Sequence, residues 1–356
     1  MLLSRRKFLK ITGAAAAVSP FVSMPRIALG ATGTEQNVMV SAPPRPFGRA
    51  IRGSVVRAEP SLYAKIVKSI GWDQSIALLG QAESDQSPTK YNQTWYRVDG
   101  GWVYSAFIQP CENTLNEPIT KIDKPFWVEV SVPKGVARGA PNEKAWAAYP
   151  VYFGSVFEAQ EAVQDADSKA WFYRISDGAQ SQLFINAQYL RRIDPSEITP
   201  LSPEVPLEAK SILVDTKTRI TTAYENGKEV FRAKVATGAE FSKLDGTKED
   251  FRTMKGDFRI YEKRFSSRMV GGGERTDPGF YDLPGVSWCS YFTTSRIAFH
   301  TAYWHNDFGA ERSHGCVNML PEHALWVYRW TMPVADYEQR FTRTAKYVEG
   351  SLVKVI

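Results

Sequence analysis

The sequence predicts a mainly β protein, with two small barrels followed by a larger β-rich domain that has few short helices. Two observations carry this reading. From about residue 45 onward, short runs rich in Val, Ile, Tyr and Trp alternate with turn residues at close spacing, as in all-β domains. Only 321–330 reads convincingly as a helix, with Pro321 in its first turn and Met332-Pro333 to stop it.

In chain order, residues 1–31 stand apart from the fold. Ser4-Arg5-Arg6-Lys7-Phe8-Leu9-Lys10 is a twin-arginine export signal, followed by an Ala-rich run over 11–22 and small residues at 28–31 where a peptidase could cut. Gly13, Pro20 and Pro25 break the run short of the roughly 20 apolar residues that a membrane span needs, so cleavage is expected over retention as an anchor. The expected partner is the twin-arginine translocation machinery. The expected destination is the cell envelope, either periplasm or extracellular wall.

The net charge is +6, and Arg5, Arg6, Lys7, Lys10 and Arg26 all precede the first acidic residue, Glu35. The remainder therefore carries about +1 and holds no Lys/Arg cluster able to track phosphates, which argues against nucleic acid as a partner. Three cysteines leave one over if any pair forms. Cys316 is the natural leftover. Cys111 and Cys289 could pair, but burial of each alone, Cys289 beside Trp288, is the preferred expectation.

Residues 45–112 form the first unit, with Ser54-Val55-Val56-Arg57, the turn Glu59-Pro60-Ser61, Trp95-Tyr96-Arg97-Val98 and Gly101-Trp102-Val103-Tyr104. The pattern resembles a bacterial SH3-like domain. It recurs over 125–194, where Val136-Ala137-Arg138-Gly139-Ala140-Pro141 matches the opening and Trp171-Phe172-Tyr173-Arg174-Ile175 the tryptophan strand. Such units could hold wall polymer, but tryptophans in small barrels are more often packed than exposed, so spacers are the preferred reading. Pro195, Pro200, Pro203 and Pro206 then mark 195–209 as an extended connector.

The last domain spans 210–356. Residues 211–215 and 220–224 alternate as strands, and Asn226-Gly227 before the strand 230–235 signals a tight hairpin. Residues 239–252 are polar and read as a surface loop. The strand-like Arg296-Ile297-Ala298-Phe299-His300 precedes Ser313-His314-Gly315-Cys316-Val317-Asn318, so one thiol lies near two imidazoles. A thiol with a pKa of about 8.5 is mostly protonated at neutral pH and needs an imidazole to supply thiolate and return the proton. That is equipment for acyl transfer. A zinc site from His300, His305, His314 and Cys316 is disfavoured, because no acidic general base has metallopeptidase spacing. His323, on the helix, receives no catalytic role.

Together the strand 211–215, the Asn-Gly hairpin, Thr237-Gly238, Thr253-Met254-Lys255-Gly256-Asp257-Phe258, His300 and the Ser313 to Asn318 motif resemble an L,D-transpeptidase catalytic domain of the YkuD type, over roughly 208–356. The resemblance implies that Cys316 is the nucleophile and His300 the base, oriented by the carbonyl of Thr301. It implies that His314 and the amides around Gly315 and Cys316 stabilise the oxyanion, and that Ser313 supports the loop. Asn318 would hold the loop or the donor peptide, Trp304 would wall the cleft, and Tyr281 is a weaker candidate for a lid. The implied substrates are peptidoglycan stem peptides, with acylation by a β-lactam such as a carbapenem and no metal or organic cofactor. Hydrolysis to an L,D-carboxypeptidase outcome stays open, as does a wall-binding protein with a degenerate enzyme domain, against which the full set of His300, His314, Gly315 and Cys316 speaks. The oligomeric state is not legible.

Overall fold

Strands are the dominant regular element of the computed structural model, which describes residues 40–176, 182–242, 246–275 and 279–356. The export signal expected over 1–31 lies outside the described residues, all of which belong to one compact unit, Val38–Ile356. Among them, no helix is long and apolar enough to cross a membrane.

The first part is built of two sheets. Phe47–Ala50 pairs with Ser75–Ala77 and Ile108–Cys111, while Ile66–Ile70, Ser54–Arg57, Gly101–Tyr104, Thr94–Val98 and Gly80–Glu83 form a five-stranded sheet in that order. Ala50, Val56, Val103 and Ile108 are fully buried between them. Gly101 (φ +150°) lets the sheet come close, since a Cβ there would lie 2.1 Å from the Arg57 carbonyl oxygen.

The second part is one seven-stranded sheet in which Val156–Gln164, the longest strand, pairs with both Trp171–Ser176 and Phe126–Val130. Both units are small β structures, as expected, and strand pairing among the described residues does not close either into a complete ring. In both units a single 3-10 turn, Ser105–Phe107 or Ala187–Tyr189, interrupts the chain where the closing strand begins.

The connector expected over 195–209 is tied down at its start. Asp194 and Glu197 form a reciprocal capping box around the one-turn helix Pro195–Ile198, and Ile198 is buried in the core of the last domain. Trp127 and Val156 join that core from the second sheet, with Trp127 stacked on Phe265 at 4.6 Å and 8°.

The last domain packs two five-stranded sheets and one helix around this core. The first sheet runs Lys228–Lys234, Ile220–Glu225, Lys210–Asp215, Leu352–Val355, Gly256–Arg259. The second runs Val317–Met319, Ala298–Thr301, Tyr281–Tyr291, Glu262–Gly271, Phe341–Arg343. Ile212, Val214 and Val353 meet Phe292, Phe299 and Met319 between them. The helix is Pro321–Trp330, as expected, and lies against Tyr281–Tyr291 and Ala298–Thr301. Asn226 (φ 49°) and Gly227 (φ 76°) make the predicted hairpin turn. Within the segment that reads as a loop, Glu240–Ser242 and Lys248–Asp250 pair antiparallel.

Candidate active site

Ala298–Thr301 and Val317–Met319 run parallel and adjacent, with Phe299 opposite Val317 and His300 opposite Asn318. Side chains alternate along a strand, so His300 and Asn318 share one face, and Cys316 directly precedes the strand of Asn318. The sheet thereby brings the turn that ends in Cys316 up to the strand that carries His300.

His300 is buried, and its Nδ1 lies 2.8 Å from the carbonyl oxygen of Thr301. That carbonyl can only accept, so Nδ1 carries the proton and Nε2 is left with a free lone pair. Burial pulls the ring down to about 4 against the opposing pull of the Thr301 bond, so the imidazole is neutral at physiological pH. Thr301 is fixed in turn by its hydroxyl, 2.7 Å from Ser287 Oγ, which donates to the Gly154 carbonyl at 2.8 Å.

All three cysteines are free, which settles the Cys111 and Cys289 question in favour of single burial. Both of these are fully buried, whereas Cys316 is partly open to solvent. Burial pushes the Cys316 thiol up to about 11, opposed by the Ala298 N–H and the Arg296 cation. The resting thiol is therefore protonated and requires a base.

The turn before Cys316 is held from within. Ser313 Oγ donates to the Cys316 carbonyl at 2.5 Å and accepts from Gly315 N at 3.2 Å, which is the loop support expected of it. Gly315 has φ +111°, where a side chain would be strained. The Gly315 amide, expected among the oxyanion donors, already serves Ser313. Sequence reasoning missed Thr253, whose buried hydroxyl accepts from Gly238 N and donates to Gly315 O, both at 2.9 Å. Its signal was only its place in the Thr253 to Phe258 stretch.

His314 sits in an aromatic cage. Phe241 stacks on it at 4.4 Å and 11°, with Phe251 at 4.6 Å and Tyr281 at 4.9 Å. Tyr281 is thus brought to the site, close enough that a Cys316 thiolate would raise its phenol pKa further, after burial. Phe241 and Phe251 were hidden in what read as a polar loop. Trp304 has its ring 5.8 Å from His300 and packs in the same hydrophobic cluster as Cys316.

Of the two expectations for Asn318, holding the loop or holding the donor peptide, the contacts match the first. Asn318 is 1% exposed, and its amide lies 2.8 Å from His305 Nε2, so it is engaged inside the protein rather than offered to a peptide. His305, unassigned from sequence, becomes its support. Among the described residues no three His, Cys, Asp or Glu side chains converge as a metal site.

Residues 209–355 match the family model YkuD, described as the L,D-transpeptidase catalytic domain. No curated protein matches the chain. Among solved structures, an L,D-transpeptidase from Mycobacterium smegmatis is 17% identical, with 56% of this chain and 90% of that chain covered and a TM-score of 0.33. L,D-transpeptidase 3 from Mycobacterium tuberculosis is 19% identical over 42% of this chain and 61% of that one, with a TM-score of 0.31. An Enterococcus faecium L,D-transpeptidase mutant is 17% identical over 42% and 50%, with a TM-score of 0.30. The chain spans about half the length of the first solved chains it matches. The domain assignment rests on the family match and not on these low-scoring overlaps.

Proposed function

Residues 209–355 form a YkuD-type L,D-transpeptidase catalytic domain, and from that premise we propose that the protein is a cysteine-dependent L,D-transpeptidase that cross-links peptidoglycan stems in the cell envelope after twin-arginine export. One observation carries this reading. A partly solvent-open thiol immediately precedes the strand paired with that of a neutral imidazole, whose Nδ1 is committed to a carbonyl so that Nε2 can take a proton.

The Cys316 sulfur attacks the carbonyl carbon of the third residue of a tetrapeptide stem while its proton passes to His300 Nε2. With the thiol held up at about 11, proton transfer and attack belong to one event rather than to a standing thiolate. His314, fixed by its aromatic cage, and the Cys316 amide face the developing oxyanion. The bond to the terminal D-alanine breaks, its nitrogen taking the proton from the imidazolium, and a thioester remains. An amine from a neighbouring stem then attacks the thioester and gives its proton to His300, the C–S bond breaks, and the imidazolium returns that proton to the departing sulfur, restoring thiol and neutral imidazole. A carbapenem enters by the same first step, the sulfur joining the lactam carbonyl as the ring C–N bond opens.

Two measurements test this. Disaccharide tetrapeptide incubated with the mature protein should yield a dimer lacking one alanine, whereas a tripeptide monomer as sole product would replace cross-linking with hydrolysis. Cys316→Ala should abolish the carbapenem adduct seen by intact mass; an adduct on that variant would refute the nucleophile.

A further inference from the structure

The segment between the two catalytic strands, residues 302–310, is held by the N-terminal sheets, and at its centre it touches the catalytic side chains. Arg49, on strand Phe47–Ala50 and 1% exposed, donates from Nη2 to the Tyr303 carbonyl at 2.6 Å. Three residues on, the Asn306 amide donates to Tyr96 Oη at 3.3 Å and to the Ser105 carbonyl at 3.1 Å. The two residues between these anchors are Trp304, whose ring faces His300, and His305, which meets Asn318. Just beyond, Tyr91 reaches Asp307 at 3.3 Å, and Asp307 pairs with Arg312 beside the cysteine turn.

Arg49 is itself over-determined. Its Nε bonds Gln109 at 3.0 Å, its Nη1 meets Asp73 at 2.8 Å, and its guanidinium lies 3.7 Å over the Tyr152 ring of the second sheet. A buried guanidinium costs several kcal/mol to desolvate and is tolerated here because every face is partnered. Its one bond into the catalytic domain goes to the backbone next to Trp304.

We infer that the N-terminal sheets are a positioning element of the active site, with Arg49 and Tyr96 gripping residues 303–306 so that Trp304 and His305 hold His300 and Asn318 in reactive register. This rests on the reading of Cys316 and His300 as nucleophile and base. Misplacement of a reacting group by about 1 Å can cost on the order of 100-fold in rate.

The test uses the full mature chain in four forms: wild type, Tyr96→Phe, Arg49→Lys and Arg49→Met. Carbapenem acylation is separated into its saturation constant and its limiting rate. Tyr96→Phe, which leaves its ring in place, should lower the limiting rate severalfold with little change in the saturation constant or melting temperature. Arg49→Met should lower it by about 100-fold, and Arg49→Lys, able to reach the Tyr303 carbonyl, should recover part of that loss. Limiting rates equal to wild type in Tyr96→Phe and in a folded Arg49→Met would overturn the proposal. So would losses that only track melting temperature. If the wild type is not acylated at all, the functional reading fails instead. The grip is then read by iodoacetamide alkylation of Cys316, whose rate should still change in Tyr96→Phe, and an unchanged rate would overturn the proposal.

Discussion

His300 and His305 are kept neutral by burial, down to about 4 and about 3, and burial lowers His314 and His323 as well. The unfolded chain takes up protons on these rings as the pH drops below 6.5, whereas the folded rings do not. Stability is therefore complete above that pH and falls as the pH descends toward 4. At 1.36 kcal/mol per pH unit, His300 and His305 each withdraw about 2 kcal/mol between pH 6.5 and 5. The urea midpoint should drop clearly from pH 7 to pH 5, before the carboxylates titrate, and equal midpoints would contradict neutral burial. At this scale the sequence singled out the candidate reacting residues, because Cys316, His300 and His314 are few in kind and close in spacing. It left Asn318 open between loop and peptide, because its amide partner His305 lies 13 residues earlier and meets it only through the sheet. It missed Thr253, whose two bonds join segments 15 and 62 residues away.

Elements whose cause is local were legible. Helix Pro321–Trp330 and the hairpin at Asn226-Gly227 are written in adjacent residues, through a first-turn proline and two residues that tolerate positive φ. The hairpin Glu240–Ser242 with Lys248–Asp250 was not, because its charged, short strands give no apolar alternation and its apolar residues, Phe241 and Phe251, are used on His314. The Asn226-Gly227 turn offers a clean test of the local argument. A Cβ at Gly227 would meet nothing within 4 Å, so Gly227→Ala adds only the backbone strain of φ 76°. The expected loss is about 1 kcal/mol by urea denaturation, with acylation unchanged. A loss well above that would mean the turn carries tertiary contacts.

Across the whole molecule, units that read as separable in sequence share cores and buried bonds. Trp127, Val156, Ile193 and Ile198, all before residue 209, are buried with Phe265, Trp288 and Phe292 in the catalytic core. Phe157 fills the space over Gly285 so closely that a Cβ there would lie 2.5 Å from its ring, and Gln109 donates to the Phe153 carbonyl at 2.9 Å to join the first sheets to the second. Sequence patterning could not reveal this, since an apolar residue in a strand looks the same whether it packs on its own sheet or on a neighbouring one. Contacts of this depth do not open independently at neutral pH, because exposing one large aromatic such as Trp127 already costs about 3 to 5 kcal/mol. The described part of the chain should thus melt in a single calorimetric transition, with van't Hoff and calorimetric enthalpies in agreement. The isolated fragment 210–356 should be poorly soluble, with the surface around Phe265 uncovered. Two or more resolved transitions, or a soluble and carbapenem-reactive 210–356 fragment, would show instead that the N-terminal sheets are appended to the enzyme rather than built into it.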